Sequence, residues 1–392
     1  MTFIPFILLG LVLLLLLVEL FVVQRIVRSI PIRVHVNGSR GKSSVTRYIV
    51  AGLRSGGKRT VGKITGIQPT ILLPDGQKSI IQRRAPANVR EQIKLARLAK
   101  KLSCDALVLE CMSISSPLQQ VESDILQPHV TVLTNILEDH LEELGSSDAE
   151  RTEAYCSAFP SNAVIVTNDQ EHIIEVEKAA SQRNTKVIVP PTRTFPATEF
   201  ILPAIALEHI SLALTACTTL GVDEELALRG ILGELQNDEP LLYSFTAGHN
   251  EVRFINGFAV NDVPSAKVFL ESWRERLNNW SELVFVLNTR SDRPRRSVEF
   301  ARWCSSLDEL KTIILTGTHI PLTKRMLRKY GIPESRIQIL SKDQIREPQK
   351  AFGQMIGESA TVFGFCNIAG DGFAFLDAIK PYQQQRNTSR DH

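Results

Sequence analysis

The chain has 392 residues, of which 43% are hydrophobic and 22% are charged, a composition typical of a globular protein and not of a disordered one. Lysine and arginine number 45 against 42 aspartates and glutamates, a net charge of +3 that argues against a general nucleic-acid binder. The six cysteines form no CxxC pair, so their spacing predicts buried thiols in a reducing compartment and neither a disulfide framework nor a zinc site.

The N-terminal segment is apolar from residue 3 to residue 23 and contains one charge, Glu19. As a helix these 21 residues would span roughly 30 Å, the thickness of the hydrocarbon core of a bilayer. No basic residue precedes the run and no A-x-A site follows it, which argues against a cleaved signal peptide. Arg25, Arg28 and Arg33 follow it, so the positive-inside rule predicts a single transmembrane helix within residues 1–24, in the cell membrane, with the body of the protein in the cytoplasm.

Beyond Pro31, short apolar strands alternate with amphipathic helices, a pattern that predicts a doubly wound, mostly parallel α/β sheet. A second alternating series begins at Val252 and predicts a smaller, Rossmann-like α/β domain. We therefore expect a central domain over residues 25–245, a C-terminal domain over 246–382 and a loose tail over 383–392.

The strongest local signal follows the predicted strand Ile32–Val36, where the pattern G-x-x-G-K-S leads into a predicted helix. It is shorter than the general G-x-x-x-x-G-K-[ST] phosphate loop, because position 36 is valine. Glycines let backbone N–H groups close on a phosphate, and the helix N-terminus attracts its negative charge. Lysine in such a loop holds the β- and γ-phosphates, and the following serine ligates Mg²⁺. The sequence thus predicts a nucleotide-binding loop of Asn37, Gly38, Ser39, Arg40, Gly41, Lys42, Ser43 and Ser44.

The charged residues around this loop in the sequence are all basic. Between Glu19 and Asp75 there is no acidic residue, yet there are ten lysines and arginines. Two interpretations stay open: the region attracts ATP and an anionic substrate, or it is a solvated basic face.

Two predicted strand ends supply acidic partners for the loop, because ligand sites in open parallel sheets collect at the carboxyl ends of strands. Glu110 ends the strand Ala106–Glu110, and a polar cluster, residues 135–142, follows the next strand. We expect Lys42, Glu110 and His140 to be catalytic and Ser43, Glu110 and His140 to hold Mg²⁺, with His140 the less usual ligand because Mg²⁺ prefers oxygen.

These segments resemble the Mur ligase superfamily. The loop NGSRGKSS is similar to its G-T-N-G-K-[TS]-[TS] loop, and the segment from Thr134 to Glu142 is similar to its T-N-I-x-x-D-H-L-D motif. The helix next to the loop, the total length and the segments VGKITG, NILEDH, NGFAVND and NTRSDR resemble the ligase subunits of bacterial poly-γ-glutamate synthases (PgsB/CapB type).

The resemblance implies an ATP- and Mg²⁺-dependent amide ligase that polymerises glutamate through γ-carboxyl linkages and an acyl-phosphate intermediate. It also implies a small multispanning membrane subunit (PgsC/CapC type) and an extracellular accessory subunit as partners, in a homo- or hetero-oligomer. Residues implied to contact the nucleotide beyond the loop are His209, Asn256, Asn261, Arg290, Asp292 and Arg293.

The chain departs from the family pattern at three points. The family's carbamylated lysine has no counterpart, since there is no lysine between Lys101 and Lys178, so a second Mg²⁺ needs another ligand. His209 stands at an asparagine position of the adenine-contacting helix, and Asn256 replaces an aspartate that usually meets the ribose. Two alternatives remain: another Mur-type ligase with a different acid substrate, and a membrane-tethered ATPase that powers or regulates a partner.

Overall fold

The computed structural model describes residues 4–66, 68–83, 88–138, 141–191, 204–235, 242–274, 277, 282–357 and 359–382. The chain divides into two compact units, Met1–Asp238 and Glu239–His392. The division lies before the expected position at 245, and residue 245 itself falls inside a strand of the second unit's sheet.

The first unit contains a sheet of eight strands flanked by helices on both faces. Its strands are β1 (Ile32–Asn37), β2 (Thr60–Ile64), β3 (Thr70–Leu72), β4 (Lys78–Ile80), β5 (Ala106–Glu110), β6 (Val130–Leu133), β7 (Val164–Thr167) and β8 (Lys186–Ile188). Its described helices are α1 (Ile4–Arg28), α2 (Lys42–Ser55), α3 (Arg90–Lys101), α4 (Ser116–Leu126), α5 (Leu141–Leu144), α6 (Asp148–Ser157), α7 (Ile173–Ser181), α8 (Ala204–Thr219) and α9 (Glu224–Leu235).

The spatial order of that sheet is β4-β3-β2-β5-β1-β6-β7-β8, with β1 in the interior. The six strands from β2 to β8 in this order are parallel, whereas β3 and β4 are antiparallel additions at one edge. Alternate residues of β1 face opposite helical layers. Val34 and Val36 pack with α2, α8 and α9, and His35 points to the other side.

Helix α1 is apolar and exposed from Phe6 to Val22, and by length and composition it could cross a membrane. Its last turn is different, because Val23 and Val27 are buried, with Ile30 just beyond the helix, against α3 and the outer face of the sheet. The apolar helix thus continues into the core of the first unit with three residues separating it from β1.

The second unit is a six-stranded sheet in the order β13-β12-β11-β14-β10-β9, parallel except for the edge pair β9 and β10. Its strands are β9 (Leu242–Ala247), β10 (Asn250–Asn256), β11 (Leu283–Thr289), β12 (Leu310–Gly317), β13 (Ile337–Ile339) and β14 (Ser359–Phe365). Its described α-helices are α10 (Val263–Arg274), α11 (Pro294–Cys304), α12 (Ile320–Lys329), α13 (Lys342–Arg346), α14 (Pro348–Met355) and α15 (Asp371–Ile379).

Aromatic-rich cores cover both faces of this second sheet. The predicted fold class is therefore confirmed: a P-loop-type α/β unit with a mostly parallel sheet, followed by a smaller α/β unit. The six cysteines are free and buried, as their spacing predicts.

Candidate nucleotide-binding site

The predicted phosphate loop connects the carboxyl end of β1 to the start of α2. Gly38 has φ +122° and Gly41 has φ +83°, conformations that glycine adopts without the steric cost of a Cβ. Gly41 also caps α2, so the first N–H groups of that helix lack intrahelical acceptors and face the loop. This arrangement is a ready anion site.

The loop is fastened by the segment that follows β6. The Asn135 carbonyl accepts from Ser39 N at 2.9 Å, and its side-chain oxygen accepts from Arg40 N at 2.9 Å. The Ser39 hydroxyl accepts from Leu137 N at 2.9 Å and lies 3.1 Å from the Tyr155 hydroxyl. Asn37 is buried, and its side-chain oxygen accepts from Gly38 N at 2.8 Å. The side chains of Asn37 and Ser39 therefore set the shape of the loop.

An oxygen-rich pair lies at the base of the loop. The Ser43 hydroxyl donates to a Glu110 carboxylate oxygen at 2.9 Å, and Thr65 N donates to the same oxygen at 2.6 Å. Glu110 is 3% exposed, so its charge is held in a confined position. Two oxygen donors beside an anion site suit Mg²⁺, which prefers oxygen and retains several waters.

Lys42 lies over the loop it belongs to. Its ammonium donates to the carbonyls of Gly38 and of Ser39, the latter at 3.2 Å. Ser44 occupies the first turn of α2. A cavity of about 240 Å³ opens beside these residues, lined by Asn37, Gly38, Ser39, Arg40, Lys42, Thr65, Glu110, Cys111, Met112, Ser113, Ile114, Gln119, Leu144 and Tyr155.

His209 lies against the turn of the loop. An added Cβ at Gly41 would overlap its imidazole, so the two groups are in close contact. Burial lowers the pKa of His209 to about 4, which keeps the ring neutral. Its Nε2 atom has no hydrogen-bond partner in the described part of the chain. The structure thus brings His209 to the loop itself, whereas the sequence predicts an adenine contact.

The second unit holds the other predicted nucleotide contacts at the carboxyl ends of its strands. Asn256 ends β10 and is buried, and Asn261 is half-buried in the loop that leads to α10. The Arg290 guanidinium donates to both oxygens of Asp292, at 2.9 and 2.6 Å, on the surface. Arg293 is exposed and caps α11.

One predicted ligand cannot be placed. His140, predicted as a catalytic and metal-binding residue, lies outside the described residues, as does Asp139. The described residues before it, Asn135 to Glu138, continue directly from the contacts with the loop.

Sequence reasoning missed three residues that shape the site: Thr65, Gln119 and Tyr155. It included Asn135 in the polar cluster after β6 but assigned it no contact with the loop. Thr65 belongs to VGKITG, which carried the resemblance but gave no role for its backbone. In the second unit, the Asn288 amide donates to the carbonyls of Asn367 at 2.7 Å and of Ala369 at 2.9 Å, a clamp with no local sequence signal.

Comparison with known proteins finds a match for each of the two units. A model of the Mur ligase middle domain matches residues 36–199, and a model of the poly-gamma-glutamate synthase CapB C-terminal domain matches residues 242–381. Solved structures of the same fold include FolC from E. coli in complex with ADP, at 14% identity, a TM-score of 0.63 and 92% of each chain covered. Another is a Mycobacterium tuberculosis folylpolyglutamate synthase complexed with ADP, at 14% identity, a TM-score of 0.63 and 91% and 92% of the two chains.

Two curated relatives are closer in sequence. PGA synthase CapB of Bacillus subtilis is 29% identical over 380 residues, which are 93% of this chain and 94% of that protein. Capsule biosynthesis protein CapB of Bacillus anthracis is 32% identical over 372 residues, which are 92% of this chain and 79% of that protein. The predicted family is confirmed: the chain belongs to the CapB family of Mur-ligase-type poly-γ-glutamate synthases.

Proposed function

We propose that this chain is an ATP-dependent amide ligase that polymerises glutamate through γ-carboxyl linkages by way of an acyl phosphate. The observation that carries the proposal is the Ser43–Glu110 pair at the base of a fastened phosphate loop, in a member of the CapB family. One relative is called a capsule biosynthesis protein and the other a PGA synthase, which supports glutamate as the substrate class.

The reaction has two balanced steps. A γ-carboxylate oxygen of the growing chain attacks the γ-phosphorus of ATP, and the bond to ADP breaks. The α-amine of another glutamate then attacks the acyl carbon, inorganic phosphate leaves and the amine loses a proton. Two anions must meet in the first step, so cations must neutralise their repulsion.

The residues of the loop meet this electrostatic demand. The Lys42 ammonium moves from the loop carbonyls to the β- and γ-phosphates, and the α2 N-terminus offers N–H donors. Ser43 and Glu110, with His140, would hold Mg²⁺, which supplies Lewis-acid stabilisation of phosphoryl oxygens. The donor set fits this ion, because the two described ligands are a hydroxyl and a carboxylate.

The remaining predicted contacts are proposed to bind the nucleotide. Arg290, Asp292 and Arg293 supply exposed charge, and Asn256 and Asn261 supply amides. His209 acts as a neutral ring that supports the turn at Gly41, since its imidazole lies against that glycine.

The proposal includes a membrane setting. Helix α1 spans the cell membrane once, and both units lie in the cytoplasm. The exposed apolar surface of α1, from Phe6 to Val22, supports this, and so do the basic residues Arg25 and Arg28 at its end. A small multispanning membrane subunit and an extracellular accessory subunit join it in a homo- or hetero-oligomer.

The test is ATP turnover by membranes containing the full-length chain, with and without glutamate, followed by sizing and acid hydrolysis of the product. We expect turnover stimulated by glutamate and a polymer that yields only glutamate. Turnover with no polymer would select an ATPase, and a polymer of other composition would select a ligase with a different acid substrate.

Lys42→Ala should lower glutamate-dependent turnover by roughly a hundredfold or more, because the triphosphate loses its cation. The control is Lys58→Ala, which changes a lysine beyond the other end of α2 and should retain activity. Equal activity of Lys42→Ala and the wild type would contradict the assignment of the loop.

A further inference from the structure

A second polar cluster lies on the opposite face of the first sheet from the phosphate loop helix. His35 of β1, Cys111 just beyond β5 and Glu122 of α4 each offer a ligand atom, and these three atoms all lie within 4.8 Å of one another. Exposure is 1% for His35, 3% for Cys111 and 1% for Glu122. The fold brings His35 to Cys111 and Glu122, which lie more than 70 positions later in the sequence, and the cluster contains a single cysteine, which is why cysteine spacing gives no sign of it.

His35 is the anomaly in this cluster. Among the residues that the structure describes, neither Nδ1 nor Nε2 of its imidazole has a hydrogen-bond partner. The Nε2 atom lies 3.8 Å from a Glu122 oxygen, too far for a hydrogen bond. A buried imidazole whose two nitrogens lack hydrogen bonds is unfavourable, and such a group needs an explanation, such as an ion.

The Cys111 thiol donates a weak hydrogen bond to the Ser113 carbonyl, with sulfur and oxygen 3.7 Å apart, which metal binding would replace. Glu122 is held as a coordinating carboxylate is. Glu122 accepts from Ser113 N at 2.8 Å and from the Gln92 amide at 2.6 Å. Hydrogen bonds of this kind orient a coordinating carboxylate. The buried ammonium of Lys63, on β2, pairs with Glu91 at 2.9 Å, and its positive charge also acts on Glu122.

The geometry points to a divalent metal site at His35, Cys111 and Glu122, with zinc as its ion and water as a fourth ligand. An imidazole, a thiolate and a carboxylate form a donor set that suits Zn²⁺, whereas Mg²⁺ avoids sulfur. Zinc ligands in a tetrahedral site lie roughly 3.3–3.7 Å apart, so small side-chain rotations close the present spacing. On binding, the Cys111 thiol releases its proton to solvent and a sulfur–metal bond forms.

The described part of the chain contains another histidine–carboxylate cluster, and its hydrogen bonding differs from that of the cluster at His35. His172 lies with Asp148 and Glu171, yet each of its ring nitrogens already has a carboxylate partner, at 2.8 and 2.9 Å. Both ring nitrogens of His172 are therefore satisfied without an ion. The site at His35 differs because its imidazole is unsatisfied and enclosed.

An ion at His35 would bear on the proposed active site, since Cys111 follows Glu110 directly and also lines the cavity beside the phosphate loop. The ion would connect β1, which leads into the loop, to α4 and to the end of β5, where Glu110 lies. We assign it a supporting role, separate from the Mg²⁺ of the reaction.

The experiment is metal analysis of the full-length chain, purified in detergent without a histidine tag. We expect one zinc per chain after equilibration with zinc. Replacement with Co²⁺ should give tetrahedral d–d bands and a sulfur-to-cobalt charge-transfer band. Cys111→Ser and His35→Asn should each weaken metal binding by roughly a hundredfold or more, and Cys111→Ser should remove the charge-transfer band.

Cys104→Ser is the matched control, because Cys104 is another buried free thiol, outside the cluster, and its loss should leave the spectrum unchanged. If Cys111→Ser fails to fold, Glu122→Gln and the wild-type cobalt spectrum carry the test. A wild-type chain that takes up no zinc or cobalt overturns the proposal, as does a charge-transfer band that survives in Cys111→Ser. Metal content needs no ATP turnover, so this outcome is independent of the ligase assignment.

Discussion

The carboxyl ends of the two sheets are organised differently. In the first unit, Ser39 and Arg40 are bonded to the segment after β6, and Ser43 and Thr65 converge on Glu110. The groups are buried or half-buried, and each has partners from a distant part of the chain. This site is prearranged before any ligand arrives.

In the second unit only the scaffold is prearranged. Asn288 and Asn367 clamp the ends of β11 and β14 to each other, with bonds of 2.7 and 2.9 Å. Asp292 and Arg293 are exposed, and the partly exposed Arg290 pairs with its near neighbour Asp292. Exposed pairs of this kind stabilise a fold by about 0–1 kcal/mol. This contrast predicts that substitutions in the site of the first unit should affect both stability and catalysis. Substitutions of the exposed charges in the second unit should affect ligand binding alone.

The largest effect expected from this contrast, after the loss of Lys42, is that of Glu110→Gln. The variant keeps the size of the side chain but removes the negative charge beside Ser43, so the apparent affinity for Mg²⁺ should fall by roughly 10–100-fold. A titration of activity against Mg²⁺ measures it. Glu142→Gln, an exposed carboxylate near the same segment, should leave the titration unchanged. An unaltered Mg²⁺ dependence in Glu110→Gln would remove this residue from the metal site.

A second effect concerns the two glycines with positive φ at the ends of α2. Gly57→Ala should lower the free energy of unfolding by about 1–2 kcal/mol through backbone strain alone, since apart from its chain neighbours no described residue has an atom within 4 Å of the new Cβ. Gly41→Ala should cost more, because its Cβ also meets the His209 ring. Denaturant unfolding of both variants measures the difference.

The double variant Gly41→Ala/His209→Ala isolates the clash. It should recover part of the loss that Gly41→Ala causes, since the two residues are in contact and their effects are coupled. Strictly additive losses would show that His209 does not press on the turn.

A smaller effect is expected in the second unit. Arg290→Gln should raise the KM for ATP several-fold without changing the midpoint of thermal unfolding, because the side chain is partly exposed and its ion pair is local. Asp292→Asn is the matched change on the other partner. A loss of thermal stability in Arg290→Gln comparable to that of Gly41→Ala would break the contrast between the units.

The smallest effect is a pH dependence of stability in the first unit. Burial lowers the pKa of His172, but hydrogen bonds to Asp169 and Asp148 outweigh it and raise the pKa above its ordinary value of 6.5. The contribution of His172 is therefore fully present below pH 6.5 and is lost as the pH rises through the raised pKa.

His172→Gln should remove this dependence. The difference in unfolding free energy between the wild type and the variant should shrink as the pH rises above 6.5 and through the raised pKa of the imidazole. A difference that stays constant over that range would mean that His172 does not titrate as described. The bond from Ile136 N to Asp169, at 2.6 Å, links this cluster to the segment that fastens the phosphate loop.

The sequence predicted what local pattern can encode. The strand over Ala106–Glu110 has the predicted bounds, and the phosphate loop stands between β1 and α2 as its glycines indicate. Periodicity and glycine placement suffice for such elements because their causes lie within a few residues.

The features that the sequence did not reveal depend on partners distant in the chain. Strand β2 escaped notice because VGKI is short, and its role follows only from pairing with β5. The contact of His209 with Gly41 joins residues 168 positions apart (209 − 41), and no periodicity records it. The edge strand β9 likewise owes its place to antiparallel pairing with β10.

Because the end of α1 packs in the core of the first unit, the distance along the chain between this apolar helix and the phosphate loop is short and ordered. Three residues separate the helix from β1, whose six residues span about 20 Å before the loop begins. With α1 in a bilayer, the loop cannot drift away from the lipid surface as it would on a flexible tether. A bond formed at the loop would then be made within a short distance of the membrane surface.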